Sequence, residues 1–493
     1  MDIKIVGGTV IDGQNGDRFE ADIGIKEGVI HTVGDLSGTS AANEIDATGR
    51  IVAPGFIDVH THDDFAALLH PDMGFKLVGG VTTCVVGNCG FGAAPFTEAC
   101  VMGKAMHPDL SLSPYDGYHG YLDRLRATAP GVNIGVLAGH GTLRLAAMGT
   151  DDREPSGAEM AAMRGLLDEG IEAGVLGLSS GLIYEPGRYA QTQELIELAS
   201  QLRDAGGLYA THMRDEGEQL LESVEEAIAI GAGAGVPVQI SHHKASGRES
   251  WGRVVQSLAL IDAAQARGES VHADQYPYTA GSTILKAVLE NGAFLNRDGG
   301  MGRVSADDVI IASAAECPQW EGQSIATIAA ALEMPARAAA EHVISRVPGA
   351  TVVLHLMDEE DVKTVMRHAS TMIGSDGIPT LNGRPHPRLY NSFARVLGHY
   401  ARDEKLFSLE TAVYRMTGFS AEKFGLAGRG VIAEGNAADV VVFDAERIID
   451  RGTFEEPNLY PDGIDCVIVN GNVAVNNGTV TAHRYGQPLR RGR

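Results

Sequence analysis

His60 and His62 stand two residues apart at the end of an apolar run, Ile51 to Val59, that Pro54 and Gly55 punctuate. The run has the length of a buried strand, and strand residues two apart point to the same side. Both imidazoles can therefore converge on one divalent ion, although paired histidines also serve as ordinary hydrogen-bonded residues. Further along, Cys89 in GNCG, His212 in THMR, His242 in SHHK and Asp376 in SDG each follow an apolar run. Thiolates, imidazoles and carboxylates hold metals and move protons. Each also has a plainer role open to it: Cys89 as a small buried hydrophobe, Asp376 as the opener of a turn. By strand alternation His243 faces away from His242 and reads as structural, and His140 and His272 read as hydrogen-bonded histidines.

These residues need elements that bring them together. Eight β-rich runs can do so: 51–59, 81–86, 133–141, 175–181, 208–213, 236–243, 270–278 and 371–376. Amphipathic helical stretches such as GAEMAAMRGLLDEGIEAG and LLESVEEAIAIGAGAG separate several of them. Strand, loop and helix in repetition predict an α/β fold, a (β/α)8 barrel, whose reacting groups gather at the C-terminal strand ends. No GxGxxG turn follows an early strand, which removes support for a dinucleotide fold. Residues 283–348 are too long for one crossover and predict a lid insertion before the last barrel strand. Short strands with Gly and Asp breaks fill 1–53 and recur from 426 to 493, so the two ends are expected to pair as one small β-sandwich around a barrel at 54–425.

The 493 residues carry 39 Lys plus Arg against 64 Asp plus Glu, a formal charge of −25. That balance argues against nucleic acid or an anionic membrane as partner and favours a small molecule. An anionic substrate would need local cations in its pocket. The opening MDIKIVGGTVIDG reads as strand and turn rather than as a leader, and the five cysteines form no CxxC pair. A cytoplasmic protein without a disulfide framework is expected. Oligomeric state is left open.

In this order, GFIDVHTH, GNCG, THMR, SHHK, YPYTAGST and SDG resemble the D-aminoacylase (N-acyl-D-amino-acid deacylase) branch of the amidohydrolase superfamily, over nearly the whole chain. Many members of that superfamily bridge two metals with a carboxylated lysine on strand four. Here that strand reads VLGLSSGL, without lysine. The resemblance implies that Cys89 takes its place: Cys89, His212 and His242 would hold one tight zinc, with His60 and His62 at a weaker second position. A thiolate and two neutral imidazoles leave one tetrahedral position open for catalysis. Asp376 would take the proton of the attacking water and return it to the leaving amine. Lys244, Tyr276, Ser282 and Arg388 match family positions for the substrate α-carboxylate.

The resemblance implies hydrolysis of N-acyl-D-amino acids. A D-specific dipeptidase is the nearest enzymatic rival, and a non-catalytic barrel would require lost ligands, which this chain retains. Arg297, in NGAFLNRDGG at the start of the insertion, predicts a cation for an acidic substrate side chain, D-glutamate ahead of D-aspartate, unless it pairs with Asp298 instead.

Overall fold

The apolar run ending in His-Thr-His folds as two strands rather than one. In this computed structural model, which describes residues 1–107, 110–294 and 300–492, Ile51–Pro54 pairs with Val440–Phe443 in a terminal sheet, and Phe56–Asp58 opens the barrel. Gly55 is the joint. Its N–H donates to the Asp439 carbonyl while that of Phe56 donates to Gly80, and a Cβ at Gly55 would sit 2.2 Å from the Thr82 hydroxyl. The expected single strand from 51 to 59 thus divides where only glycine fits between two sheets.

The barrel strands are β1 (Phe56–Asp58), β2 (Val81–Val86), β3 (Asn133–Gly139), β4 (Gly177–Gly181), β5 (Leu208–His212), β6 (Val238–Ile240), β7 (Val271–Gln275) and β8 (Thr371–Ile373). Each pairs in parallel with the next in sequence, the pattern expected of a (β/α)8 barrel. The sheet closes past the ends of β1 and β8. There Asp376 N–H donates to the His60 carbonyl at 2.7 Å and His62 N–H to the Gly377 carbonyl at 3.0 Å.

The same seam holds a buried charge. The Lys76 ammonium lies 2.7 Å from Asp58 and 3.2 Å from Asp63, and donates to the Thr61 and Ser375 hydroxyls at 2.9 Å each. Burial works against its charge, but the two carboxylates outweigh burial and raise the Lys76 pKa.

Both chain ends build the sandwich, as the composition of the ends predicts. One sheet of seven strands adds Ile51–Pro54, Thr9–Val10 and Phe19–Glu20, in that order, to the edge of four adjacent C-terminal strands; the other, of four strands, comes from residues 3–46. Ile5, Ile23, Val52, Val442 and Ile468 fill the space between them. The insertion forms a three-stranded antiparallel sheet, with Thr351–His355 between Ala280–Ile284 and Val309–Ser313, and has its own core of Leu285, Ile311, Ile325, Val343 and Val352. Ala280 pairs with His355, so the inserted unit is wider than the expected 283–348 at both margins. Among the described residues no helix is long and apolar enough to cross a membrane.

Replacing Lys76 by Met should lower stability by roughly 3–5 kcal/mol, because Asp58 and Asp63 would stay buried without a counter-charge. A marked fall in the thermal midpoint is expected, partly restored by adding Asp58→Asn. An unchanged midpoint would show that the seam does not depend on this ion cluster.

Candidate metal centre

Closure of the barrel gathers the strand-end residues around a cavity of about 640 Å³ including its open mouth. His62, Cys89, His212, His242, Lys244, Tyr276, Ser282 and Asp376 line it, with His60 fully buried beside Asp376 and Arg388 behind it. Arg297 lies outside the described residues.

Three overlapping donor groups form: Cys89, His212 and His242; His60, His62 and Cys89; and His60, His242 and Asp376. Within each group the donor atoms lie within 4.8 Å of one another. The Cys89 sulfur is 3.4 Å from His60 Nε2 and 3.5 Å from His242 Nε2. Both nitrogens of His212 are buried without a hydrogen bond. A thiolate-competent sulfur, converging imidazoles and an orphaned buried ring fit zinc, a borderline-soft ion with nitrogen and sulfur preference.

The backbone is bent to make this convergence. Cys89, His242 and Asp376 adopt positive φ of 54°, 37° and 49°, a region that costs side-chain-bearing residues of order 1–3 kcal/mol each and is tolerated where surroundings enforce it. The enforcing contacts are visible. His242 N–H donates to Asp274 Oδ1 at 2.7 Å, Asp376 N–H to the His60 carbonyl at 2.7 Å, and the residue after Cys89, Gly90, donates to Ser179 at 3.0 Å.

Charge is balanced locally. Burial alone would raise the Cys89 thiol, but the neighbouring His60 and His242 imidazoles outweigh it and hold its pKa well below the ordinary value. Burial likewise disfavours an ionised Asp376; Arg388, whose Nη2 is 2.9 Å from Oδ2, and then His60 outweigh it and keep the carboxyl well below its usual range. Burial pushes His212 down, toward the neutral form a metal requires.

Two carboxylates escaped the sequence reading. Asp274 on β7 lies 3.1 Å from His60 Nδ1, and Glu216 lies 3.0 Å from His242 Nδ1. Each lies against the Nδ1 of its histidine while Nε2 faces Cys89, although His60 Nδ1 makes no hydrogen bond among the described residues and His242 Nδ1 also meets Lys244 Nζ at 2.9 Å; carboxylates placed this way orient histidines that bind metals. The available signal was the carboxyls of RDEGE and HADQ, close in sequence to strand-end histidines.

The substrate candidates are less free than expected. Lys244 Nζ is 2.6 Å from Glu216 and 5.8 Å from the Tyr276 ring centre. Arg388 stacks 4.3 Å from the same ring and donates to the Ser282 carbonyl at 3.3 Å, yet its Nε and Nη1 are buried without partners. Two donors thus remain to be satisfied. His243 bonds Ser257 at 2.8 Å and His140 bonds Glu194 at 2.8 Å, whereas His272 sets its ring edgewise against Phe419 instead of forming the expected hydrogen bond.

A profile of the amidohydrolase family matches residues 43–275 and 258–475. The D-aminoacylase of Alcaligenes xylosoxydans xylosoxydans is 43% identical over 493 residues, covering 100% of this chain and 98% of that protein. The crystal structure of N-acyl-D-glutamate deacylase from Bordetella bronchiseptica, complexed with zinc and a phosphonate mimic of the tetrahedral intermediate, superposes with a TM-score of 0.90 at 40% identity, covering 99% of each chain. A D-aminoacylase structure, described for a binuclear metal centre with one-metal activation and second-metal attenuation, gives a TM-score of 0.88 at 40% identity, covering 99% of this chain and 100% of that one.

Because Cys89 is common to two of the three donor groups, Cys89→Ala should lose bound zinc, measured by elemental analysis, while Cys317→Ala keeps it. Glu216→Gln should weaken zinc binding about 10- to 100-fold, the usual effect of removing an orienting carboxylate. Full zinc content in Cys89→Ala would remove that residue from the centre.

Proposed function

Since this chain belongs to the amidohydrolase family, in its D-aminoacylase branch, we propose that it is a zinc-dependent deacylase that hydrolyses N-acyl-D-amino acids to a carboxylate and the free D-amino acid. The observation that carries this reading is the buried Asp376 carboxylate, held ionised between His62 at 3.2 Å and Arg388 at 2.9 Å, at the edge of the Cys89, His212 and His242 donor group. Zinc held by that group supplies Lewis acidity to the amide carbonyl and the attacking water.

The chain's own residues supply the rest. Asp376 Oδ1 accepts the water proton and returns it to the amide nitrogen, since an amine leaves only when protonated. Arg388 keeps Asp376 in place through Nη2, and its Nε and Nη1, unpartnered among the described residues, are suited to the substrate α-carboxylate; Lys244, bonded to Glu216 and His242, adds its charge beside them. Tyr276 stacks under the Arg388 guanidinium and fixes its plane. Ser282 contributes its carbonyl to Arg388 and its place on the cavity wall. The D configuration rests on the relatives' substrates, and the cysteine usage of the chain supports a reducing, cytoplasmic setting.

For the side chain of the substrate, Met301, Leu354 and Leu356 line the described part of the cavity beside the insertion and favour an apolar group such as that of D-leucine or D-methionine. Arg297 carries the second reading, an acidic side chain with D-glutamate first.

Asp376→Asn should lower kcat by at least about 10²-fold, the lower range for removal of a general base, with zinc retained. The parent should cleave N-acetyl-D-leucine and leave N-acetyl-L-leucine intact. Retention of most of kcat in the variant would take Asp376 out of proton transfer. A parent preference for N-acetyl-D-glutamate over N-acetyl-D-leucine, lost in Arg297→Ala, would favour the acidic reading over the apolar one.

A further inference from the structure

A second cavity, about 1590 Å³ including its open mouth, lies where the insertion meets the helices after β2 and β3, Phe96–Gly103 and His140–Met148. Val101, Met102, Leu145, Ala287 and Pro348 are among its walls. The insertion approaches closely there: a Cβ at Gly349 would sit 3.2 Å from Ala105 Cα. Val101 is 66% exposed, the highest exposure of any large hydrophobic residue among those described. The charges at the rim are mixed in sign, with Lys286 paired to Glu290 at 3.2 Å, so nothing there selects an ionic ligand.

The metal-centre cavity and this groove share Phe91, Tyr184 and Ile284. Phe91 and Tyr184 meet edge to face at 5.3 Å, Tyr184 also packs 4.9 Å from the His212 ring, and its hydroxyl is held by Thr283 at 3.1 Å. Phe91 is 5.9 Å from the His62 ring and Tyr184 abuts His212, whereas Lys244 and Arg388, the groups suited to the α-carboxylate, gather on the Tyr276 ring. An N-acyl amino acid whose amide carbonyl sits at the donors, with its carboxylate toward the cations, therefore directs its acyl chain at the Phe91–Tyr184 wall.

We propose that the groove beyond this wall is an acyl-chain subsite, and that the enzyme takes N-acyl-D-amino acids carrying medium-chain fatty acyl groups. The proposal rests on the deacylase reading and specifies its substrate class. An acyl chain is the occupant because Val101, Met102, Leu145, Ala287 and Pro348 give the groove apolar walls, and because it shares Phe91, Tyr184 and Ile284 with the cavity proposed to hold the scissile bond. Each methylene buried there should contribute roughly three- to four-fold in affinity for the transition state.

The test is the dependence of kcat/KM on acyl length, from N-acetyl- through N-butanoyl- to N-octanoyl-D-leucine, in the zinc-loaded parent and in Val101→Asp and Leu145→Asp. The parent should gain at least about 30-fold from acetyl to octanoyl. Both variants should lose most of that gain and leave N-acetyl-D-leucine cleavage unchanged. Competitive inhibition by octanoate, at least ten-fold stronger than by acetate in the parent, is an independent readout that decides the matter if the variants do not fold. A flat or falling series in the parent, equal inhibition by the two acids, or an undiminished gain in both folded variants would overturn the subsite. Absence of hydrolysis of every N-acyl-D-amino acid in the series, acetyl through octanoyl, would instead overturn the deacylase reading itself.

Discussion

Everything at the centre depends on how β1 meets β8. The His60 carbonyl accepts from the Asp376 amide, the Gly377 carbonyl accepts from the His62 amide, and Lys76 ties Asp58 and Asp63 on one side to Ser375 on the other. Two backbone bonds and one buried ammonium thereby set the distance between the His-x-His pair and the carboxylate proposed to move protons. A barrel left open here would separate ligands from base, since they come from strands at opposite edges of the sheet order.

The seam alone leaves the imidazoles free to turn. Asp274 and Glu216 restrict that freedom, each lying close to one ring nitrogen while the other faces Cys89. In a protein with a formal charge of −25, the site is not simply acidic: Lys244 offsets Glu216, Arg388 offsets Asp376 and Lys76 offsets Asp58 with Asp63. Buried ions of this kind stabilise little by themselves, but removing one partner is costly, so each pair fixes the position of its neighbours. The positive φ values of Cys89, His242 and Asp376 are sustained by that rigidity.

Much of this was legible in the sequence because strand ends concentrate chemistry. His60 with His62, Cys89, His212, His242 and Asp376 each sit where an apolar run stops, and a barrel places such positions on one face. Lys76 was not legible: GFKL has no periodicity that marks a lysine for burial, and its partners are remote in sequence apart from the Asp58–Asp63 stretch. Nor was the division at Gly55, which depends on the Thr82 side chain of the neighbouring strand. The margins of the insertion escaped because Ala280–Ile284 and Thr351–His355 find each other only across some seventy residues. Arg388 was read as a binder of substrate; its pairing with Asp376 is a tertiary fact.

The central claim is that the strand-end constellation holds one tight zinc on which amide hydrolysis depends. Zinc titration of the metal-stripped protein, with hydrolysis of N-acetyl-D-leucine as the readout, tests it most directly. Activity should rise in proportion to added zinc and reach its plateau at about one equivalent, since the proposed ligands Cys89, His212 and His242 fill three tetrahedral positions and leave the fourth open for the reaction. Full activity in the stripped protein, or activity that appears only as a second equivalent binds, would contradict the account.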